Sequence, residues 1–459
     1  MLSTSKMKKI SLLLLLSGLA LCLDAQKNST KGNWISLFNG KDLTGWKQLN
    51  GHAKYTVKDG IIIGTTVNDE PNSFLATEKN YDDFILELEF KVEPNMNSGI
   101  QFRSESKADY NNGQVHGYQM EIDPSTRAWS GGIYDEGRRL WLYSLEYNDP
   151  AKKAFHNGEW NRYRIECIGN TVRTWVNGIP AAHLVDDLKT TGFIALQVHS
   201  IGKPEEAGRQ IMWRNIRIQT ANLTPSPETG IFVVNLVANN ISETEKKNGV
   251  KLLWNGQNTD GWRGAYNEKF PENGWKIENG LLRVMPSGGG ESTNGGDIVT
   301  NAMYGAFELQ FEFRLTDSAN SGVKYFVTEQ EKNSGSAIGL EYQILDDSKH
   351  PDAVLGAVGN RTMASLYDLI PSIKFGQAKR KIGEWNRGMI RVYPDNRIEH
   401  FLNGYKVVEY TRGTPIFYAL VARSKYVNWP NFGMAEKGRI LLQDHGHAVD
   451  FKSIKIKEY

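Results

Sequence analysis

Between residues 84 and 92 the chain alternates without a break. Phe84, Leu86, Leu88, Phe90 and Val92 are separated by Ile85, Glu87, Glu89 and Lys91. The same rhythm returns in Phe307, Leu309, Phe311, Phe313 and Leu315, interleaved with Glu308, Gln310, Glu312 and Arg314. A period of two turns one set of side chains to a core and the other to solvent, so both segments are predicted as half-buried β-strands. Asn177-Gly178 and Asn403-Gly404 each sit between two strand-like runs, and Asn-Gly supplies the left-handed backbone of a two-residue hairpin. No long helical period occurs. Strands with Gly-rich turns over about 200 residues predict an all-β, two-sheet sandwich of jelly-roll type.

The pattern is written twice. Trp34-Ile-Ser-Leu-Phe-Asn-Gly40 with Gly45-Trp46 matches Val250-Lys-Leu-Leu-Trp-Asn-Gly256 with Gly261-Trp262. Asn97-Ser-Gly99 matches Asn320-Ser-Gly322, and Gly158-Glu-Trp-Asn-Arg162 recurs unchanged as Gly383-Glu-Trp-Asn-Arg387. Gln197 and His199 match Gln443 and His445. The order is preserved, which indicates duplication of a whole domain. Copy one is expected over 27–222 and copy two over 250–459, with a linker over 223–249 whose apolar run, Ile231 to Val237, could add a strand.

The first 25 of 459 residues read as a signal peptide: Lys6, Lys8 and Lys9 precede an apolar run from Ile10 to Leu23, too short for a comfortable membrane span. The expectation is an exported, periplasmic protein with no integral membrane segment in the mature chain. A lipid anchor on Cys22 is the weaker alternative, because Leu21 fits a lipobox poorly. Cleavage after Ala25 leaves 51 basic and 51 acidic residues. That balance, with no basic patch, excludes a nucleic-acid or anionic-lipid surface. The single remaining cysteine, Cys167, alternates with Tyr163 and Ile165 and is expected in a core.

Alternation also places chemistry. Gln119, Glu121 and Asp123 share one strand face, followed by Arg127, Trp129, Tyr134, Asp135, Glu136, Arg138, Arg139 and Trp141. In copy two Glu341 and Gln343 share a face, followed by Asp346, Asp347, His350, Arg361, Tyr367 and Asp368. Aromatics, carboxylates and arginines concentrated at matching places suit a sugar site; the bland alternative for any single residue is a solvated strand face. Glu121 and Asp123, roughly 7 Å apart as same-face neighbours, would suit a two-carboxylate glycosidase. Copy two lacks that pair, with Gln343 and Leu345 in its place. What both copies share is an acid and an amide in either order, a Tyr-Asp step, and the Gln-x-His of a late strand. A histidine there could act as a general base near neutral pH. No cofactor motif is evident, and a divalent metal is neither demanded nor excluded.

These residues carry a family resemblance. Leu37-Phe-Asn-Gly-Lys-Asp-Leu-Thr-Gly-Trp46, Gly117-Tyr-Gln-Met-Glu-Ile-Asp-Pro124, Ser130-Gly-Gly-Ile-Tyr-Asp135 and Gly192-Phe-Ile-Ala-Leu-Gln-Val-His199 in copy one resemble the 3-keto-disaccharide hydrolase family, formerly domain of unknown function 1080. In copy two the matching segments are Gly339-Leu-Glu-Tyr-Gln-Ile-Leu-Asp-Asp347, Ser365-Leu-Tyr-Asp368, Ser424-Lys-Tyr426 and Leu442-Gln-Asp-His-Gly446. The exported tandem form resembles members from Bacteroidetes. The resemblance implies two concanavalin-like jelly rolls in tandem. It also implies cleavage of glycosides first oxidised at C3 by a partner oxidoreductase: C2 deprotonation, elimination of the glycosidic oxygen, and rehydration. His199 and His445 are then the candidate bases, with Tyr134, Tyr367, Glu121 and Glu341 as further catalytic candidates. Arg103, Arg139, Arg361 and Lys425 are candidate charge clamps. Gln119, Asp123, Trp129, Gln197, Gln343, Asp346 and Gln443 are candidate substrate contacts. Phe326 stands at the place of Arg103, so the copies need not share an activity. A non-catalytic carbohydrate-binding protein and a conventional O-glycoside hydrolase remain as alternatives.

Overall fold

The computed structural model describes residues 33–330, 332–333, 336–374, 376–429 and 431–459. The expected signal peptide and Cys22 lie outside them. Each copy is a sandwich of two sheets, and the chain is all-β with two jelly-roll sandwiches in tandem.

Phe84–Val92 runs through the middle of copy one's first sheet, between Asn161–Ile168 and Gln210–Gln219. Its apolar row, Phe84, Leu86, Leu88 and Phe90, is almost wholly buried. On its other side Glu87 receives Arg162, Arg164 and Arg217, which cover the carboxylate and draw it below its ordinary pKa despite burial. Phe307–Leu315 holds the same place in copy two, between Trp385–Val392 and Val449–Glu458. Cys167 is buried on the core face, where burial pushes its thiol up to about 12.

The second sheet of each copy carries the functional face. In copy one Val115–Ile122 pairs with Ser98–Ser106, which pairs with Phe193–Val198, then Ser73–Thr77, then Trp46–Asn50. In copy two the same order runs Leu340–Leu345, Asn320–Val327, Arg439–Leu442, Ile298–Thr300, Trp262–Gly264. Copy one extends this sheet with two edge strands, Ile133–Glu136 and Leu140–Tyr143. Among the described residues copy two has only isolated bridges there, Tyr342 to Leu366 and Leu366 to Ile370.

Several repeated motifs are scaffolding. Trp46 and Trp262 donate their indole N–H to the carbonyls of Leu37 and Leu253, pinning the turn that opens each copy. Asn177 and Asn403 take positive φ, 50° and 51°, at their hairpin tips. Each donates its amide to the asparagine of the Gly-Glu-Trp-Asn-Arg motif, Asn161 or Asn386, and each accepts the amide N–H of the arginine that follows.

The copies meet through the copy-two hairpin. The Gly404 carbonyl accepts Ser144 Oγ, and Arg387 donates to the carbonyls of Trp141 and Leu142 at 3.0 and 2.7 Å. Tyr405 packs on Trp129 with ring centroids 4.8 Å apart. From the linker, Val234–Asn235 adds a parallel strand to copy one beside Ile179–Val185, and Phe232 packs on Tyr147 under the Arg391 guanidinium. One apolar cluster runs through both copies.

Candidate functional site

Cross-strand register assembles the copy-one face. Gln101 lies opposite Gln119 and Ala195, Gly99 opposite Glu121, and Tyr134 opposite Gln119. Residues directly opposite share a face, so these side chains, with Gln197, line one side of the sheet. They form a directed row. Ser104 Oγ donates to Gln101 Oε1, Gln101 Nε2 to Gln119 Oε1 at 2.6 Å, and Gln119 Nε2 to Glu121 Oε2 at 2.9 Å. Asn97 donates to the other Glu121 oxygen at 2.8 Å. Burial still raises the Glu121 carboxyl above its ordinary value; the two amide donors and His199 oppose this, and Asp123 adds to it. Glu136 is pushed up to about 7, mainly by burial and then by the nearby Glu121 charge.

His199 leaves the end of Phe193–Val198. Its Nδ1 lies 2.6 Å from the Ser200 carbonyl, which can only accept, so Nδ1 carries a proton and, in the neutral ring, the lone pair lies on Nε2. Asn72 joins the parts: its oxygen accepts the Ser200 amide N–H and its nitrogen reaches Glu136 at 3.4 Å. Gln197 is wholly buried, yet neither atom of its amide has a hydrogen-bond partner in the protein. Such a group is poised for a ligand.

Copy two keeps the frame and changes the charges. Lys324 replaces Gln101, Glu341 replaces Gln119, and Gln343 replaces Glu121. Burial pushes the Glu341 carboxyl up to about 7, against the pull of Lys324 and Lys425. Lys324 is held above its ordinary pKa by Glu341, Asp297 and Glu291, which together outweigh burial. Lys425 lies over the Tyr367 ring, 4.2 Å from its centroid, and burial lowers its ammonium pKa. Tyr367 donates its hydroxyl to Asp352 at 2.8 Å; burial and the nearby Glu341 and Asp352 charges keep it protonated. Gln443 donates to Glu291, and its oxygen has no partner.

Other candidates lie elsewhere or are already engaged. Arg103 is not a clamp: it is fully buried and spends its guanidinium on the Asp82 carbonyl, the Gly169 carbonyl and Asp83. The cause is a bulge. Arg103 has a φ of 44°, the register with Val115–Ile122 shifts there, and the side chain leaves the alternation. Phe326 makes the same bulge at a φ of 57°, and Arg412 stacks over its ring. The divergence that suggested two activities is thus an exchange of braces at the sheet end. Trp129 lies away from the row, in a cleft of about 590 Å³ between the copies with Arg127, Glu146, Tyr405 and Lys406. Asp123 braces its own loop through Arg127 and Ser125, and Asp346 does so through Ser318 and Ser348. Arg139 is paired with Asp135 and Asp186, and Arg361 with Asp368 and Asp352.

The structure adds Asn72, Asn97, Gln101 and Lys324 to the faces and sets Glu136 beside them. The signal for two of them was in the repeat. Gln101 and Lys324 stand two residues beyond the glycine of Asn-Ser-Gly, so alternation puts them on the same face as Gly99 and Gly322.

A tandem β-sandwich with a buried carboxyl, amide and histidine face in each copy defines the class. The sequence profile of the 3-keto-alpha-glucoside-1,2-lyase-like domain matches residues 33–219 and again 249–457, and the chain belongs to that family. A 3-keto-disaccharide hydrolase of Bacteroides thetaiotaomicron is 35% identical over 230 residues, 46% of this chain and 78% of the relative. A structure from Parabacteroides distasonis, provisionally described as a glycosyl hydrolase, is 30% identical over 48% of this chain and 99% of its own, with a TM-score of 0.42. A second from the same organism is 24% identical over 46% and 99%, with a TM-score of 0.34.

Proposed function

We propose that the protein is an exported enzyme that cleaves 3-keto-glycosides by elimination and rehydration, downstream of an oxidoreductase that makes the C3 ketone. Family membership supports the substrate class, and the basic-then-apolar N-terminal segment supports export. The observation that carries the chemistry is the pairing, on one sheet face, of a histidine and a buried carboxyl whose pKa burial raises. His199, in its neutral form, has its lone pair on Nε2, and Glu121 accepts two amide donors while burial raises its pKa.

A C3 ketone acidifies the C2 hydrogen. His199 accepts that proton, the C1–O bond breaks as the C1–C2 alkene forms, and Glu121 in its protonated form donates to the departing oxygen. Water then adds across the alkene. In copy two the same work falls to His445 and Glu341, and Lys324 and Lys425 supply positive charge for the enolate oxygen. A glycosidase with two opposed carboxylates fits less well, because Asp123 is engaged by Arg127 and copy two has no counterpart.

The test is aglycone release from a 3-keto-glucoside and from its unoxidised parent, run in deuterated water. Release from the keto sugar alone, with deuterium entering C2, is expected. Sugar binding without release from either would reduce the protein to a carbohydrate-binding module. Release from the parent alone would make it a conventional glycosidase.

A further inference from the structure

Copy two gathers three histidines at the end of its functional face. His445 and His447 flank Gly446 just after Arg439–Leu442, and His350 follows Leu340–Leu345 on the neighbouring loop. One nitrogen from each ring falls within 4.8 Å of the other two, and the ring centroids are 5.4 to 6.0 Å apart. The rings are half-buried. The Nδ1 atoms of His445 and His447 are shielded from solvent and have no hydrogen-bond partner.

We propose that His350, His445 and His447 bind a divalent transition-metal cation of the zinc or cobalt class. Three neutral imidazoles are borderline-soft nitrogen donors, which select such ions over magnesium or calcium. Three protein ligands leave a fourth tetrahedral position for water or for an oxygen of a bound sugar, and because a coordinated His445 has no free lone pair, the base role proposed for it belongs to the metal-free protein. In a tetrahedral site with bonds of about 2.05 Å the ligand nitrogens stand roughly 3.4 Å apart, so the rings close by about an ångström on binding.

The backbone is built for this placement. Gly446 takes a φ of 71°, and a Cβ there would stand 2.7 Å from the amide nitrogens of Gly289 and Gly290. The Gly446 carbonyl accepts the amides of Ser287 and Gly289, which ties the Gly-rich loop under the two histidines. His350 is held from the other side. Its Nδ1 receives the Asp352 amide at 3.2 Å, while the Asp352 carboxylate takes Tyr367 and Arg361. A coordinating His350 must surrender that amide contact, since the ring needs either Nδ1 itself or a proton on it. The same short segment thus joins the histidine cluster to Tyr367 and, through its ring, to Lys425. Among the described residues copy one has no such cluster, and Ile201 stands where copy two has His447.

The experiment uses tag-free full-length protein stripped with EDTA and titrated with cobalt chloride. One Co²⁺ per chain is expected, with the intense visible bands of a tetrahedral site, displaced by zinc. His447→Ala and His350→Ala should each weaken cobalt binding at least tenfold, and the exposed His156→Ala should not. Circular dichroism identifies a variant that has failed to fold, and the other variant then decides. Less than a tenth of a cobalt per chain would overturn the site, as would binding that both folded variants retain. Cobalt is read without substrate, so this outcome is separate from that of the sugar-cleavage assay.

Discussion

Gly99 and Gly322 have no side chains, yet they shape both faces. A Cβ on Gly99 would stand 2.3 Å from Gln119 Cδ, and one on Gly322 would stand 2.4 Å from Glu341 Oε1. The third residue of the repeated Asn-Ser-Gly motif is therefore the floor on which the acid or amide lies. Gly99→Ala is expected to displace Gln119 and break its bond to Glu121, lowering turnover by copy one at least tenfold. The overpacking would also cost about 1–3 kcal/mol of stability; steady-state kinetics and a thermal melt separate the two effects. Replacing the proposed bases tests a different link. His199→Ala and His445→Ala should each remove the 10²–10⁴-fold contribution typical of a positioned base, about as seen elsewhere for such groups, from whichever copy turns over. Undiminished turnover in the double variant would remove histidine as the base. Glu341 adds a dependence on pH. Its folded-state pKa, about 7, lies above that of an unfolded glutamate. Below about pH 4.5 the carboxyl is neutral in both states and burying it carries no charge penalty. The penalty grows as the unfolded chain ionises and is complete once the pH passes the folded value, so stability falls across that window, by up to about 3 kcal/mol. Glu341→Gln should flatten this part of the stability–pH curve, measured by urea unfolding at pH 4.5 and 7.5.

At the scale of elements, alternation was a sound guide where strands are regular and failed where they bulge. Gln119, Glu121, Gln197 and their copy-two counterparts were legible because Val115–Ile122 and Phe193–Val198 keep strict parity through those positions. Arg103, a clamp candidate through the family resemblance, does not share the face of Gly99 and Gln101 because one left-handed residue flips parity, and nothing in an arginine announces a positive φ. The glycines opposite the bulge do carry a trace of it. A Cβ on Gly192 would meet the Arg103 backbone at 2.4 Å, and one on Gly438 would meet that of Phe326 at 2.2 Å. The trihistidine cluster was illegible for another reason: its members come from two loops about a hundred residues apart, and no local spacing links them. The hairpins allow a direct test of scaffolding. Asn161→Ala removes the acceptor of Asn177 and the donors to the His156 and Glu159 carbonyls. It should cost about 1–3 kcal/mol in urea unfolding, and Asn386→Ala should act in the same direction in copy two.

At the scale of the whole molecule the two copies unfold as neighbours that share buried surface. Arg387 is half-buried at their junction and donates to two copy-one carbonyls, so Arg387→Ala takes one donor from the Leu142 carbonyl and leaves the Trp141 carbonyl to Arg380. The expected result is that a single calorimetric transition in the parent broadens or splits in the variant. An unchanged single transition would show that apolar packing alone couples the copies. Electrostatics crosses the junction as well. Arg380 of copy two donates to the Trp141 carbonyl and lies close enough to lower the pKa of Tyr134, although burial keeps that phenol well above its ordinary value.

The two edge strands of copy one decide how far such a chain can grow. The junction is heterologous: the hairpin tip of one copy meets the edge of the other, so the contact does not close on itself. A head-to-tail contact of this kind would propagate into a filament if every unit carried both surfaces. Among the described residues copy two has no counterpart of Ile133–Glu136 and Leu140–Tyr143, so its own edge offers no socket for a third unit. Copy one keeps the matching tip at Asn177-Gly178, with open space around Gly178. Among the described residues copy one therefore carries both a plug and a socket, and copy two a plug alone.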